Sequence, residues 1–265
     1  MPPDERPDPS LHAELLSQFQ HTISGLGSSE LRDVLQRLLA AGAPGDDPSA
    51  RKPPPSRRRP RRADVVTYQV RIDLKGAKPP VWRRLELASD MFLDDLHDVI
   101  QMAFGWTDSH LHRFGSGSDF WSRDTEYYLC LFDFEEGETG IPEEEVRLDE
   151  VLVEVGDKLL YNYDFGDDWQ HTIKLEAVLP RPNPAPQAEC IAGRRPGPPE
   201  DCGGVRSYEM IVATLDETHP DHVAQAAEFS HVFGDEIDPA QFELIDFDID
   251  EVNAGLAISG IDDVG

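Results

Sequence analysis

The chain has 265 residues, and its 52 Asp and Glu against 24 Lys and Arg leave a net charge of −28. A body this acidic repels nucleic-acid phosphates, which argues against general DNA binding by the main part of the chain. Three cysteines and no apolar leader after Met1 are expected of a cytoplasmic protein with reduced thiols, and no apolar run is long enough to span a membrane.

In residues 1–42, Leu11, Leu15, Leu16, Phe19 and Ile23 recur at helical spacing. After Gly25-Leu26-Gly27, Ser28 or Ser29 is placed to cap a second run carrying Leu31, Val34, Leu35, Leu38 and Leu39. A small helical hairpin is expected there. Residues 43–63 read as a linker, in which residues 51–62 hold seven basic side chains and no acid. Rich in proline and charge, it is expected to be extended and disordered. Its basic run is suited to weak contact with nucleic acid or with an acidic surface, this chain's own included.

Residues 64–265 are expected to form the main domain, with 44 acids to 14 bases in residues 63–265. Residues 65–74 alternate apolar and polar, so Val66, Tyr68, Val70 and Ile72 share a strand face, and residues 81–87 read as its partner. A helix follows with Leu93, Leu96, Ile100, Ala103 and Phe104 as its apolar stripe. Ser89 or Asp90 is the expected cap and Gly105 the stop. If residues 106–114 are extended, His110, His112 and Phe114 point one way. Tyr127 to Phe132 is strand-like, and residues 148–153 read as a short helix. Period-two patterning flanks the turn Asp164-Phe165-Gly166-Asp167-Asp168, marking a hairpin in which Gly166 is expected to adopt a strained backbone and Trp169 to be buried. Residues 180–204 read as an irregular proline-rich loop. Helices near 205–216, 221–231 and 249–257 close the chain, with Asp248 capping the last.

Five segments occur in order: residues 93–106, His110-Leu-His-Arg-Phe114, Tyr163 to His171, Pro198-Pro-Glu-Asp-Cys-Gly-Gly204 and Asp246-Phe-Asp to Asn253. Together the stretch from Val65 to Leu256 resembles the plasmid pRiA4b Orf-three-like family. The resemblance implies a single α+β domain of mobile-element type, some members being labelled transposon passengers or resolvases, and it carries no agreed catalytic residues to these positions. Ser207-Tyr208 stands where the family often has Gly-Tyr. A serine resolvase needs a nucleophilic serine among arginines and a basic DNA-binding domain. Neither stands out here.

These side chains offer three chemistries. His110 and His112, with His97, His171 and Asp164 nearby, offer nitrogen and oxygen donors for a divalent ion, although His-Leu-His matches no closed zinc signature. Cys190 and Cys202 could pair as ligands with His171, or Cys202 could be reactive at the start of the next helix. Asp164, Asp167 and Asp168 could serve acid/base work, although aspartates also form turns without further purpose.

The expected fold is α+β, a mainly antiparallel sheet with packed helices preceded by the helical hairpin. The expected function is a cytoplasmic accessory or protein-interaction module of mobile-element type. It would have a protein partner, no membrane and no cofactor, and its only nucleic-acid contact would be weak and through residues 51–62. The alternative is a metal-dependent, hydrolase-like enzyme in which His110, His112, His171 and Asp164 face a common cleft with His97, Asp167 and Asp168.

Overall fold

The computed structural model describes residues 55–258 except residue 235. The expected helical hairpin of residues 1–42 and the first part of the linker lie outside the described residues. The described residues belong to a compact unit spanning Pro53–Gly265.

Eight strands form one sheet: β1 (Thr67–Leu74), β2 (Trp82–Ala88), β3 (His112–Ser116), β4 (Glu126–Leu129), β5 (Ile141–Pro142), β6 (Lys158–Tyr163), β7 (Trp169–Leu179) and β8 (Ala188–Arg194). Their order is β5-β4-β3-β6-β7-β1-β2-β8. Every neighbouring pair is antiparallel except β4 and β5. Among the described residues, six α-helices accompany the sheet: α1 (Leu93–Phe104), α2 (Leu131–Glu135), α3 (Leu148–Val151), α4 (Gly204–Leu215), α5 (His222–Phe233) and α6 (Ile249–Ile258). The expected α+β class is what forms, and no helix among the described residues is long and apolar enough to cross a membrane.

The sheet follows from alternation. Tyr68, Val70, Ile72 and Leu74 of β1 are buried, as are Leu85 and Leu87 of β2, because successive strand side chains point to opposite faces. The amphipathic helix α1 lays Leu93, Leu96, Ile100, Ala103 and Phe104 in the same core. Gly105 ends it in the left-handed conformation at φ 80, a geometry glycine adopts without a Cβ penalty. Its first cap differs from expectation. Phe92 occupies the N-cap position, while the Ser89 hydroxyl accepts a hydrogen bond from Val66 N at 3.0 Å and so ties β1 to the helix entry. Asp248 does cap α6, accepting from Asp250 N and Glu251 N.

Three further expectations are corrected. The apolar run after Tyr127 leaves the sheet at Leu129, and Leu131 and Phe132 begin α2 instead. The proline-rich stretch 180–204 contains a regular strand, β8, paired with β2. The end of the linker is not a free tether: Arg57, Arg61 and Arg62 bond to Asp124, Glu126, Asp149 and Glu150 of the body. Opposite charges and backbone hydrogen bonds together hold that segment on the body.

Candidate metal centre

The hairpin β6–β7 is as the alternation predicts, pairing Tyr163 with Trp169 across its turn. Trp169 is fully buried. The turn itself is built differently from expectation. Gly166 is not among the positive-φ residues; Asp164 and Asp168 take left-handed conformations at φ 53 and φ 56. Aspartate tolerates that region because its short carboxylate bonds the local backbone. Asp164 Oδ1 accepts from Gly166 N at 2.9 Å and Asp167 N at 3.3 Å. Those bonds leave Oδ2 for other work.

The three aspartates of the turn diverge. Asp168 turns back to the sheet, accepting from Asn162 and Gln170 side chains at 2.7 Å. Asp167 reaches the loop before α4, taking Gly203 N at 2.9 Å. Asp164 alone faces His110. The imidazole Nε2 of His110 lies 3.8 Å from Asp164 Oδ2, 3.8 Å from Glu200 Oε2 and 3.3 Å from Asp201 Oδ1. His110 Nε2 and Glu200 Oε2 are both sealed from solvent, yet neither makes a hydrogen bond among the described residues. One ligand atom each from His110, Asp164 and Asp201 falls within 4.8 Å of the others. We call this group the cup.

Neighbouring contacts fix its walls. Glu200 Oε1 accepts from Thr107 N and the Tyr163 hydroxyl, each at 3.0 Å. Trp106 Nε1 donates to Pro198 O at 2.9 Å, and Asp164 N donates to Leu111 O at 2.9 Å. Gly204, at φ +82, lies so close to Asp167 O that an added Cβ would approach to 2.8 Å. Residues 106–111, the hairpin turn and residues 198–204 therefore meet at one point. The hairpin turn and residues 198–204 belong to two of the five segments on which the family resemblance rests, and His110 opens a third.

The other histidines form separate environments. His97, from α1, and His112, the first residue of β3, stack with ring centroids 3.4 Å apart and planes 9° apart. His97 bonds the Tyr161 hydroxyl and Asp108 Oδ1, both at 2.9 Å. His112 Nε2 meets both oxygens of Glu143 at 2.9 and 3.0 Å. Burial holds the His112 imidazole down, to about 4, and raises the Glu143 carboxyl to about 8. The pair is thus neutral as a whole near pH 7, with one proton on the Nε2···Oε contact. Burial, and then the neighbouring His112 ring, also lower His97; two stacked imidazolium rings would repel. One ligand atom each from His97, Asp108 and His112 also falls within 4.8 Å of the others, but each of these histidines already has a carboxylate partner.

His171 belongs to neither group. It donates from Nδ1 to Trp169 O at 2.9 Å and packs among Phe104, Trp106 and Tyr161. Burial pushes its imidazole down to about 3. The expected common cleft of His110, His112, His171 and Asp164 is therefore corrected: only His110 and Asp164 meet. Cys190 lies in β8 and Cys202 before α4, both buried and free. Among the described residues, neither belongs to a cluster of metal-ligating atoms. Burial drives the Cys202 thiol up to about 12, the opposite of an activated thiolate. Sequence reasoning missed Asp108, Glu143, Glu200 and Asp201 as partners. Glu200 and Asp201 were visible within the Pro198 to Gly204 segment, whereas nothing local marks Glu143.

Fold and site together define a small α+β domain with a His/carboxylate cup at the turn end of its central hairpin. Residues 66–246 match the plasmid pRiA4b ORF-3-like protein family, and the chain belongs to that family. The uncharacterised protein y4hQ of Sinorhizobium fredii is 36% identical over 163 residues, covering 60% of this chain and 78% of that protein. The crystal structure of MM3350, a protein of unknown function from Methanosarcina mazei, is 30% identical with a TM-score of 0.50, covering 68% of this chain and 98% of that one.

Proposed function

We propose that this domain is an accessory module whose working surface is organised by one divalent metal ion held in the cup. The observation that carries the reading is the pair of sealed, unbonded atoms, His110 Nε2 and Glu200 Oε2. Buried polar atoms are nearly always paired, so two of them side by side ask for a shared partner. Three carboxylates converging on one imidazole nitrogen ask for a cation among them. The spacing agrees: two ligands about 2.1 Å from one ion at a tetrahedral angle sit roughly 3.4 Å apart, and the nitrogen-to-oxygen separations here run from 3.3 to 3.8 Å. Mixed imidazole and carboxylate donors suit manganese, iron(II) or zinc better than calcium.

Such an ion would clamp the turn, residues 106–111 and the 198–204 loop into one rigid rim. A protein partner is favoured by what lies beside that rim. Trp121 is 55% exposed, bonds Asp168 of the turn and packs edge-on against Phe165. Exposed aromatic rings are typical anchors of protein interfaces. A hydrolase-type use of the ion, the alternative from the sequence, requires the same loaded cup.

The test is metal analysis of the purified full chain, with titration calorimetry against Mn²⁺ and Zn²⁺. About one equivalent should bind, and both Asp164→Asn and His110→Ala should abolish binding while the circular dichroism spectrum stays native. Stoichiometric metal in those variants, or none in the wild type at millimolar ion, would overturn the proposal.

A further inference from the structure

The family match begins at residue 66, so the basic run before it lies outside the matched residues. That run nevertheless lies along a track of carboxylates on the domain. Arg57 N donates to Glu126 Oε2 at 2.7 Å, and its guanidinium to Asp124 Oδ2 at 2.6 Å. Arg59 N donates to Glu150 O at 2.8 Å, with its guanidinium 3.7 Å from Asp157. Arg61 bonds Glu150 Oε2 and Glu145 O, each at 3.0 Å, and stands over the Phe92 ring. Arg62 N donates to Asp149 Oδ2 at 3.0 Å.

This is more than charge attraction. Three backbone N–H groups of the segment are read individually, as in the docking of an extended peptide. The receiving carboxylates are part of the body: Glu126, Asp149 and Glu150 are 7%, 0% and 8% exposed. Asp149 is also held by Arg147 at 2.7 Å, and its Oδ1 is buried with no hydrogen bond among the described residues. A buried carboxylate is costly to keep unless donors face it, and the Arg62 N–H joins Arg147 on Asp149 Oδ2.

We propose that the track formed by Asp124, Glu126, Asp149, Glu150 and Asp157 is a binding surface for arginine-rich peptide segments, and that residues 57–62 of this chain are its resident occupant. A partner's basic segment gains the track only by displacing them. The chain's own arginines are thereby withheld from other polyanions.

The test uses the full chain and a labelled peptide of residues 55–62, Pro-Ser-Arg-Arg-Arg-Pro-Arg-Arg, followed by fluorescence anisotropy at low salt. In the wild type the tethered segment competes at high effective concentration. Replacing Arg57, Arg58, Arg59, Arg61 and Arg62 with glutamine should therefore strengthen peptide binding at least about tenfold. Adding Asp149→Asn and Glu150→Gln to that variant should remove the gain. Equal binding by wild type and the five-glutamine chain overturns the proposal, as does binding that survives loss of Asp149 and Glu150. A measurement on the wild type alone guards against misfolding of variants. Trypsin should spare residues 57–62 at low salt and cleave there as screening rises toward molar NaCl; rapid low-salt cleavage refutes seating on the track.

Discussion

The two histidine groups use the same side chains to opposite ends. In the closed group, His97 and His112 are buried, and each has a carboxylate at 2.9 Å. In the open group, His110 sees three carboxylates, and its Nε2 bonds none of them. A satisfied buried network fixes a structure; an unsatisfied one awaits a ligand. The chemistry of a histidine site is thus set less by its residue types than by whether each donor has already been matched.

The largest effect should fall on the closed group. His112→Ala leaves the buried Glu143 carboxyl without its partner and opens a cavity beside the His97 ring, so unfolding free energy should drop by about 2–4 kcal/mol, read from the urea midpoint. A near-native midpoint would remove the distinction between the two groups.

Next comes the wall of the open group. Gly204→Ala puts a Cβ 2.8 Å from Asp167 O at φ +82 and should cost roughly 2–3 kcal/mol. It should also weaken metal binding by shifting the loop that carries Glu200 and Asp201. Gly166→Ala, free of that backbone demand, should cost less than about 1 kcal/mol. The opposite ranking by thermal denaturation would discredit the account of how the turn and loop meet.

Buried neutral histidines also predict a pH dependence. The unfolded chain's histidines titrate near 6.5, whereas burial holds His171 at about 3. As pH falls below about 6.5 the unfolded state takes the proton first, so stability present above that pH is progressively lost toward pH 3. Between pH 7 and 5 this one ring should remove about 2 kcal/mol. His171→Leu should flatten that part of the curve in denaturant titrations at several pH values. An unchanged slope would mean that the ring is hydrated.

The smallest change in stability belongs to the open group itself. His110→Ala should move the denaturation midpoint by no more than about 0.5 kcal/mol and still abolish metal retention. A loss as large as that of His112→Ala would make the cup structural.

Much of the sheet was legible. β1, β2, β6 and β7 each bury one face, so alternation marks them. β8 was not, because Ala-Glu-Cys-Ile-Ala-Gly-Arg has no clear period and sits between prolines; only pairing with β2 makes it a strand. The histidines were recognised as a set, but their division was hidden. Spacing of two places His110 and His112 on one face only if both lie in a strand, and β3 begins at His112. Their partners come from four separate segments, at Asp108, Glu143, Asp164 and Glu200–Asp201, and only tertiary folding gathers them. Glycine was also the wrong guide to the turn, since aspartate carboxylates support the left-handed residues there.

One side chain of α6 has a wider consequence. Asn253 accepts from Cys190 N at 2.7 Å and donates to Cys190 O at 2.9 Å, meeting the outer edge of β8 as a neighbouring strand would. A single carboxamide thereby terminates the sheet. Edge strands with free N–H and C=O groups invite a further chain to add itself, the first step toward aggregates and fibres. Here the invitation is withdrawn at the middle of the strand, so two copies of the chain cannot zip together along β8 without first lifting the C-terminal helix.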